Sequence, residues 1–364
     1  SEAFLLGVSG GIVFGYFTFA YEGHDPQANL LTRNTFDPLD TMLSRLGVVQ
    51  HRQQTSKPDT AVANLLDALD SGVAPLVWAD AYSLPYNHLD DGGDDMWLTW
   101  PLVVTGYEND AVTIADRAAV PLTVTPDTLH TARARIKKDK FRVLTLDPPH
   151  PDKLAAAARA GIWDTIKLFT EKPPKGSKNS FGLAAYRFWA KQLTKPKQRK
   201  SWEKLFPPGI PMFAGLTFAY RMAFHFGKGL DATADRDRYA DFLEETAVLL
   251  DNPALTEAAG HFRAAGQAWQ ALGQALLPAN VAPFAEARTL LDKKHALFIK
   301  QGAAAGTEIV QINGRLADLR ASMANDFPLD QPAVSAFRER LAEAVLAVHD
   351  AEETAVDALR QAMQ

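Results

Sequence analysis

The amino-acid sequence changes its pattern near residue 150, and this change constrains the fold more than any other feature. Before Pro149, short β-rich runs alternate with turn residues and helical segments. After Pro151, apolar residues recur every three or four positions over long stretches, which is typical of amphipathic helices. The pattern therefore predicts an α+β domain over residues 1–149 and an all-α helical-bundle domain over residues 150–364.

The first part contains strand-forming runs of β-branched and apolar residues, bounded by turn formers. Strands are predicted at 76–78, 102–107, 111–115 and 142–146. Glu108-Asn109-Asp110 separates the second and third runs, which is typical of a tight hairpin and therefore of antiparallel pairing. Helices are predicted where apolar residues share one face, at 37–46 and 59–71.

The second part is predicted to contain helices only. They cover residues 152–169, 182–193, 212–226, 235–250, 253–277 and 332–364. Residues 283–325 are predicted to form either one long helix or two helices that divide near Gly302 and Gly306. Amphipathic helices in series pack as a bundle.

Composition excludes several classes of protein. The 364 residues are 47% hydrophobic and include no cysteine, so the chain is neither disordered nor a disulfide scaffold. No apolar run approaches the ~20 residues that cross a bilayer, and no leader is recognisable, which predicts a cytoplasmic protein without membrane contact. The net charge of −5 and the lack of a recognition module argue against nucleic acid as a partner.

Gly7-Val8-Ser9-Gly10-Gly11 has the G-x-S-x-G spacing of a nucleophile elbow, in which a sharp strand-to-helix turn exposes a serine hydroxyl. Only six residues precede Gly7, too few for the strands that such a fold builds before its elbow. A glycine-rich turn that allows close backbone approach is the favoured interpretation. Ser9 stays as the alternative oxygen nucleophile, and Ser1 with its own amine as a weaker one.

Metal chemistry has little support in the sequence. Residues 88–95 include four aspartates, but the spacing of an EF-hand is absent, and a solvated acidic loop is favoured over a cation site. The nine histidines show no H-E-x-x-H spacing. We therefore predict neither a metal nor a cofactor.

Aromatic residues concentrate around the predicted sheet, and core packing explains most of them. An aromatic-lined cleft is the alternative, because Trp97 and Trp100 flank a junction between a loop and a strand, where pockets form. The candidate ligand-binding residues are Gly10, Gly11, Tyr82, Tyr86, Trp97 and Trp100.

Three segments of the first part together resemble one known family: Ser1 to Phe17, Asp80 to Tyr86, and Val103 to Tyr107. They are similar to the N-terminal domain of butirosin-biosynthesis protein H and its relatives. Residues 238–245 and 264–269 resemble the uncharacterised helical domain that usually accompanies it.

The resemblance implies a papain-like fold and an acyltransferase that moves an aminoacyl group from a carrier-protein thioester to an amine. Such chemistry uses a cysteine, which would lie upstream of Ser1, and a histidine that opens the strand before Gly106. Trp100 stands at that histidine position, and Asp116 matches the group that orients it. An indole has no basic nitrogen, so Trp100 cannot accept a proton from a nucleophile.

Three interpretations of function follow. The favoured one is a catalytically degenerate acyltransferase-like protein of secondary metabolism, which binds a small ligand, an acyl group or an acyl carrier protein and does not use the Cys–His mechanism. The second is an active hydrolase or acyltransferase with Ser9 as its nucleophile. The third is a structural protein whose helices after residue 280 form a homo-oligomer.

Overall fold

The computed structural model describes residues 1–89, 97–173, 178–198 and 200–364. The chain divides into two compact units, and each is built from separate stretches of sequence. Unit 1 comprises Ser1–Gly47, His150–Asp292 and Arg315–Gln364, and unit 2 comprises Val48–Pro149 and Lys293–Gly314. The predicted domains, 1–149 and 150–364, are continuous stretches of sequence, whereas the compact units combine stretches from both. The predicted domain boundaries stay a prediction.

The first 47 residues supply a helix, a hairpin and a second helix to unit 1. These are α1 (Glu2–Val8), β1 (Ile12–Phe19), β2 (Gln27–Arg33) and α2 (Pro38–Arg45), with β1 and β2 paired antiparallel as a two-stranded sheet. The aromatic residues of β1 explain why this hairpin groups with the helices. Phe14 is fully buried. It stacks on Tyr186 with 3.9 Å between ring centroids and meets Trp269 edge-on at 5.6 Å.

Unit 2 contains a six-stranded antiparallel sheet in the order β3-β8-β4-β5-β6-β7. Its elements in chain order are β3 (Gln50–Gln53), α3 (Pro58–Asp70), β4 (Leu76–Asp80), β5 (Thr99–Tyr107), β6 (Val112–Ala115), β7 (Leu122–Val124), α4 (Pro126–Ala134) and β8 (Val143–Leu146). All four predicted strands are confirmed, and so is the hairpin, which Glu108 closes by donating its N–H to the carbonyl oxygen of Ala111. The core of this unit lies between the sheet and α3, where Leu65, Val77 and Leu102 are buried.

The remaining helices confirm the predicted helical second part. They are α5 (Leu154–Thr170), α6 (Gly182–Thr194), α7 (Trp202–Leu205), α8 (Ile210–Phe224), α9 (Arg236–Leu250), α10 (Ala254–Leu276), α11 (Ala282–Gln301), α12 (Gly306–Ser322) and α13 (Gln331–Ala362). The stretch predicted as one or two helices is divided by a 3₁₀ turn over Gly302–Ala305. The α+β class is therefore confirmed. Within the described ranges, no helix combines the length and apolar character needed to cross a membrane.

A buried ion pair lies in the core of unit 1. Glu352 on α13 and Arg236 on α9 are both fully buried, with Arg236 Nε 2.6 Å from Glu352 Oε1. The same oxygen accepts hydrogen bonds from Trp269 Nε1 at 2.9 Å and from the Tyr186 hydroxyl at 3.2 Å. Loss of either partner would leave the other charge buried and unpaired, so this ion pair links α9 and α13 tightly.

A second buried carboxylate, Asp235, lies at the start of α9. Arg33 donates to it from Nε at 2.8 Å, and the ammonium group of Lys228 contacts it from within the same unit. Burial alone would raise the pKa of Asp235, but the positive charges of Lys228 and Arg33 outweigh burial and hold the pKa well below its usual range. Asp235 therefore stays ionised down to strongly acidic pH.

Candidate functional site

Trp100 and Asp116 meet on the β5–β6 hairpin of unit 2. Trp100 lies near the start of β5, and Asp116 directly follows β6. Because the two strands pair antiparallel, the hairpin brings the two side chains together. The indole Nε1–H donates to Asp116 Oδ1 at 2.8 Å. The carboxylate is only 2% exposed, so this hydrogen bond is shielded from solvent and is of the charge-assisted kind.

Two further side chains donate to the same carboxylate. The Tyr86 hydroxyl lies 3.2 Å from Asp116 Oδ2, and the Arg117 guanidinium reaches both oxygens at 3.3 Å. Arg117 also donates to the side-chain oxygen of Asn87. Burial raises the pKa of Tyr86, and the negative charge of Asp116 raises it further, so the phenol stays protonated and remains a donor. Both oxygens of Asp116 are thus engaged by donors.

Residues 293–314, which we call the strap, lie against this cluster within unit 2. The guanidinium carbon of Arg117 is 5.1 Å from the Trp100 ring centroid and 5.0 Å from that of Phe298, so the strap adds a second cation–π contact to Arg117. Hydrogen bonds to backbone oxygens hold the strap in place. The N–H of Ala119 donates to the carbonyl oxygen of Ile299 at 2.7 Å, and Asn313 Nδ2 donates to the backbone oxygen of residue 88 at 3.1 Å.

One of the comparisons with known proteins finds a match in this region. Residues 1–117 match the family model described as butirosin biosynthesis protein H, N-terminal. The match covers 117 of the 364 residues of the chain. No curated protein matches the chain. This match confirms the resemblance seen in the sequence and supports a biosynthesis-related, acyltransferase-like domain in these residues. The matched residues include the whole Trp100–Asp116 pair.

The structure brings together some of the predicted site residues. Trp100, Asp116 and Tyr86 form the cluster described above. Trp97 is 62% exposed and lines a separate cavity of about 400 Å³ with residues 135–138. The backbone N–H of Tyr82 donates to Asp80 Oδ1 at 3.3 Å, so a local turn after β4 fixes the backbone position of Tyr82. The roles of Tyr82, Tyr86 and Trp97 in ligand binding stay predictions.

The glycine-rich motif of the family segment lies in unit 1. Its order is helix, turn and strand, from α1 through Ser9 to β1, which is the reverse of the strand-to-helix order of a nucleophile elbow. Ser9 Oγ donates to the carbonyl oxygen of Leu6 at 2.8 Å and caps the end of α1. Gly10 and Gly11 have φ angles of 101° and 65°, so the turn itself requires glycine. Their part in ligand binding remains a prediction.

Metal-ligand geometry occurs at one group of the described residues, on α13. His349, Asp350 and Glu353 place possible ligand atoms within 4.8 Å of one another. However, Glu353 Oε1 is 3.2 Å from Arg187 NH2, and a guanidinium at that place competes with a cation. Proximity alone does not indicate a metal here. The aspartates at 90, 91, 94 and 95, considered above as a cation site, lie outside the described residues.

Sequence reasoning missed Arg117, Asn87 and Phe298. Arg117 follows Asp116 directly, and this adjacency of opposite charges was the available signal for it. No local signal could have placed Phe298 in the cluster, because its contact with Arg117 joins residues that are far apart in the sequence.

Proposed function

We propose that this chain is a catalytically degenerate, acyltransferase-like protein that binds a small ligand, an acyl group or an acyl carrier protein without transferring the acyl group. The observation that carries the proposal is the 2.8 Å hydrogen bond from the indole of Trp100 to Asp116. An indole occupies the place that the family resemblance gives to a histidine.

A histidine at that position would perform two tasks. One ring nitrogen would donate to the acid, and the other would accept the proton of the nucleophile. The indole of Trp100 retains the first task, since its single N–H donates to Asp116. It loses the second, because an indole offers no acceptor nitrogen. The substitution therefore preserves the architecture of the pair while it removes the general base.

The surroundings of Asp116 support the same proposal. The carboxylate accepts hydrogen bonds from the indole, the Tyr86 phenol and the Arg117 guanidinium. The ring of Phe298 in the strap makes a cation–π contact with that guanidinium. Through Arg117, the carboxylate connects the β5–β6 hairpin to the strap. A structural role of this kind fits a protein that binds its ligand without reacting with it.

We place the protein in the cytoplasm and in secondary metabolism as part of the same proposal. The family description names a biosynthesis protein, and this supports a role beside a biosynthetic pathway. An acyl carrier protein or a small acyl compound is the partner that such a domain would meet. Formation of a homo-oligomer is not required by this proposal.

The test is a single-turnover experiment with the purified chain of 364 residues. The protein is mixed with a small acyl thioester, and thiol release and intact protein mass are recorded. We expect no release above the buffer rate and no acyl adduct. A second arm measures binding of the corresponding acyl amide by ligand-observed NMR, and there we expect saturable binding.

Each other outcome overturns the proposal in a distinguishable way. Stoichiometric thiol release that disappears in Ser9→Ala would assign the reaction to an oxygen nucleophile. Release that survives Ser9→Ala would mean that another group in the chain performs the chemistry. A chain that neither releases thiol nor binds the amide or an acyl carrier protein would have to be regarded as a structural protein.

A further inference from the structure

A cavity of about 400 Å³ opens on unit 2, away from the carboxylate cluster. It is lined by Trp97, Arg135, Ile136, Lys137 and Lys138. This volume falls within the range of small-molecule sites, which is about 300–1,000 Å³. An indole and an isoleucine provide the apolar surface, and three cationic side chains provide the polar one. The lining therefore combines a flat apolar face with a concentration of positive charge.

One buried carboxylate fixes two walls of this cavity. Asp80 is fully buried, and its Oδ2 pairs with Arg135 Nε at 2.9 Å. Its Oδ1 accepts the backbone N–H of Leu98 at 2.9 Å, which anchors the chain directly beside Trp97. Asp80 also accepts the hydroxyl of Ser83 at 2.7 Å. The backbone at the indole and the guanidinium are thus both anchored to the end of β4, and binding would cost little ordering of these groups.

The charge of the cavity points to an anion. Lys137 and Lys138 are exposed, and neither is ion-paired among the residues that the structure describes. Arg135 balances the charge of Asp80, so the two lysines give the described lining residues a net positive charge. Phosphate groups suit such a set, since ammonium and guanidinium groups form strong charge-assisted hydrogen bonds with their oxygens.

The exposed indole points to a planar ring on the same ligand. Trp97 presents 62% of its surface, which is unusual for so large an apolar side chain. Aromatic rings stack favourably on an indole face. We propose that this cavity binds a small phosphorylated compound with an aromatic ring, of the mononucleotide type, with the ring on Trp97 and the phosphates at Lys137 and Lys138. This inference goes beyond the proposed function, because it does not depend on the state of the Trp100–Asp116 pair.

The test measures binding of ADP to the full chain by isothermal titration calorimetry. Adenosine and inorganic phosphate are titrated separately. We expect one ADP per chain and weaker binding of each fragment, since each uses only one part of the lining. Lys137→Ala/Lys138→Ala should weaken ADP binding by at least about tenfold, because charged hydrogen bonds are lost. Trp97→Leu should weaken it about three- to tenfold.

The matched control is Lys57→Ala, which removes one positive charge elsewhere on unit 2, from an exposed residue that does not line the cavity. It should change the affinity less than twofold. Circular dichroism and the melting temperature show whether each variant is folded. If Trp97→Leu is not folded, Trp97→Phe takes its place, and Trp97→Phe should retain most of the affinity because its ring still stacks.

Three results would overturn the proposal. The first is absence of ADP binding, or equal binding by the double lysine variant and the Lys57 control. The second is equal affinity for adenosine and ADP, which would leave no role for the cations. The third is displacement of ADP by a short single-stranded oligonucleotide that binds far more tightly than ADP, which would make this a nucleic-acid surface.

Discussion

Replacement of Trp100 by phenylalanine tests the central hydrogen bond of the carboxylate cluster. Trp100→Phe keeps an aromatic ring under Arg117 but removes the Nε1–H that donates to Asp116 at 2.8 Å. Hydrogen bonds to charged groups contribute about 1.5–3 kcal/mol. Asp116 Oδ1 retains the Arg117 Nε at 3.3 Å, so the oxygen is not left without a donor. We therefore expect a loss near the lower limit, about 1.5–2 kcal/mol in the free energy of unfolding.

A double-mutant cycle with Asp116→Asn separates this hydrogen bond from the change in ring size. In the Asp116→Asn background the indole donates to a neutral amide oxygen, and such bonds contribute about 0.5–1.5 kcal/mol. Trp100→Phe should therefore cost about 1 kcal/mol less there than in the parent. The ring contacts of Trp100 are the same in both backgrounds, so their contribution cancels.

Urea unfolding followed by far-ultraviolet circular dichroism measures these free energies without relying on tryptophan fluorescence. Trp97→Phe is the control, since that indole is exposed, and surface substitutions change stability by less than about 0.5 kcal/mol. A cost of Trp100→Phe below about 0.5 kcal/mol, or an equal cost in both backgrounds, would refute the role assigned to the indole N–H.

Three further predictions follow from unit 1. Gly161→Ala in α5 should destabilise the protein by about 1–3 kcal/mol, because the added Cβ would collide with a backbone oxygen of α1. In Gly260→Ala of α10 the added Cβ meets no other atom, and alanine should stabilise the protein by up to about 1 kcal/mol. Glu352→Ala should cost about 3–5 kcal/mol, because it leaves a buried guanidinium unpaired. The low pKa of Asp235 stabilises the fold fully above the unfolded value of about 3.9, and this contribution is lost as the pH falls below it. Arg33→Met raises that pKa toward the unfolded value, so the stability lost on acidification should be smaller and its loss should be complete at a higher pH.

Urea unfolding measures all three, with a pH series for the last. Glu353→Ala is the control for the Glu352 variant, because Glu353 is 45% exposed and its pair with Arg187 should contribute no more than about 1 kcal/mol. Equal costs at these two positions would contradict the assigned burial. Equal effects of alanine at the two helical glycines would contradict the close packing of α1 on α5. Identical acid profiles with and without Arg33 would exclude its influence on Asp235.

Local pattern was sufficient to predict the long helices and four of the six strands in the sheet of unit 2, whereas β3 and β7 were not predicted. The runs at 102–107 and 111–115 are short, apolar and separated by turn residues, and they form β5 and β6. β1 and β2 were not predicted. Ile12 to Phe17 is continuously apolar and lacks the alternation of a half-buried strand, because its first residues are buried on both faces. Periodicity cannot distinguish such a run from part of a buried helix.

The candidate site was predicted in part. Trp100 and Asp116 follow from the family resemblance, and the structure joins them by a hydrogen bond. Their role as a degenerate catalytic pair stays a prediction. The strap was not foreseen, since nothing in the pattern of residues 293–314 distinguishes a helix that packs on a sheet from one that packs on other helices. Contacts of this kind depend on the three-dimensional course of the chain.

The division of each unit among separate stretches has a consequence for work with fragments. The polypeptide passes between the two units after residues 47, 149, 292 and 314. A clone that ends at 149 would expose the aromatic residues of β1 to water and would lack the Phe298 side chain over Arg117. Such a fragment should precipitate, whereas a graft that joins 48–149 to 293–314 through a linker contains all the residues of unit 2 and is the sensible target for crystallisation.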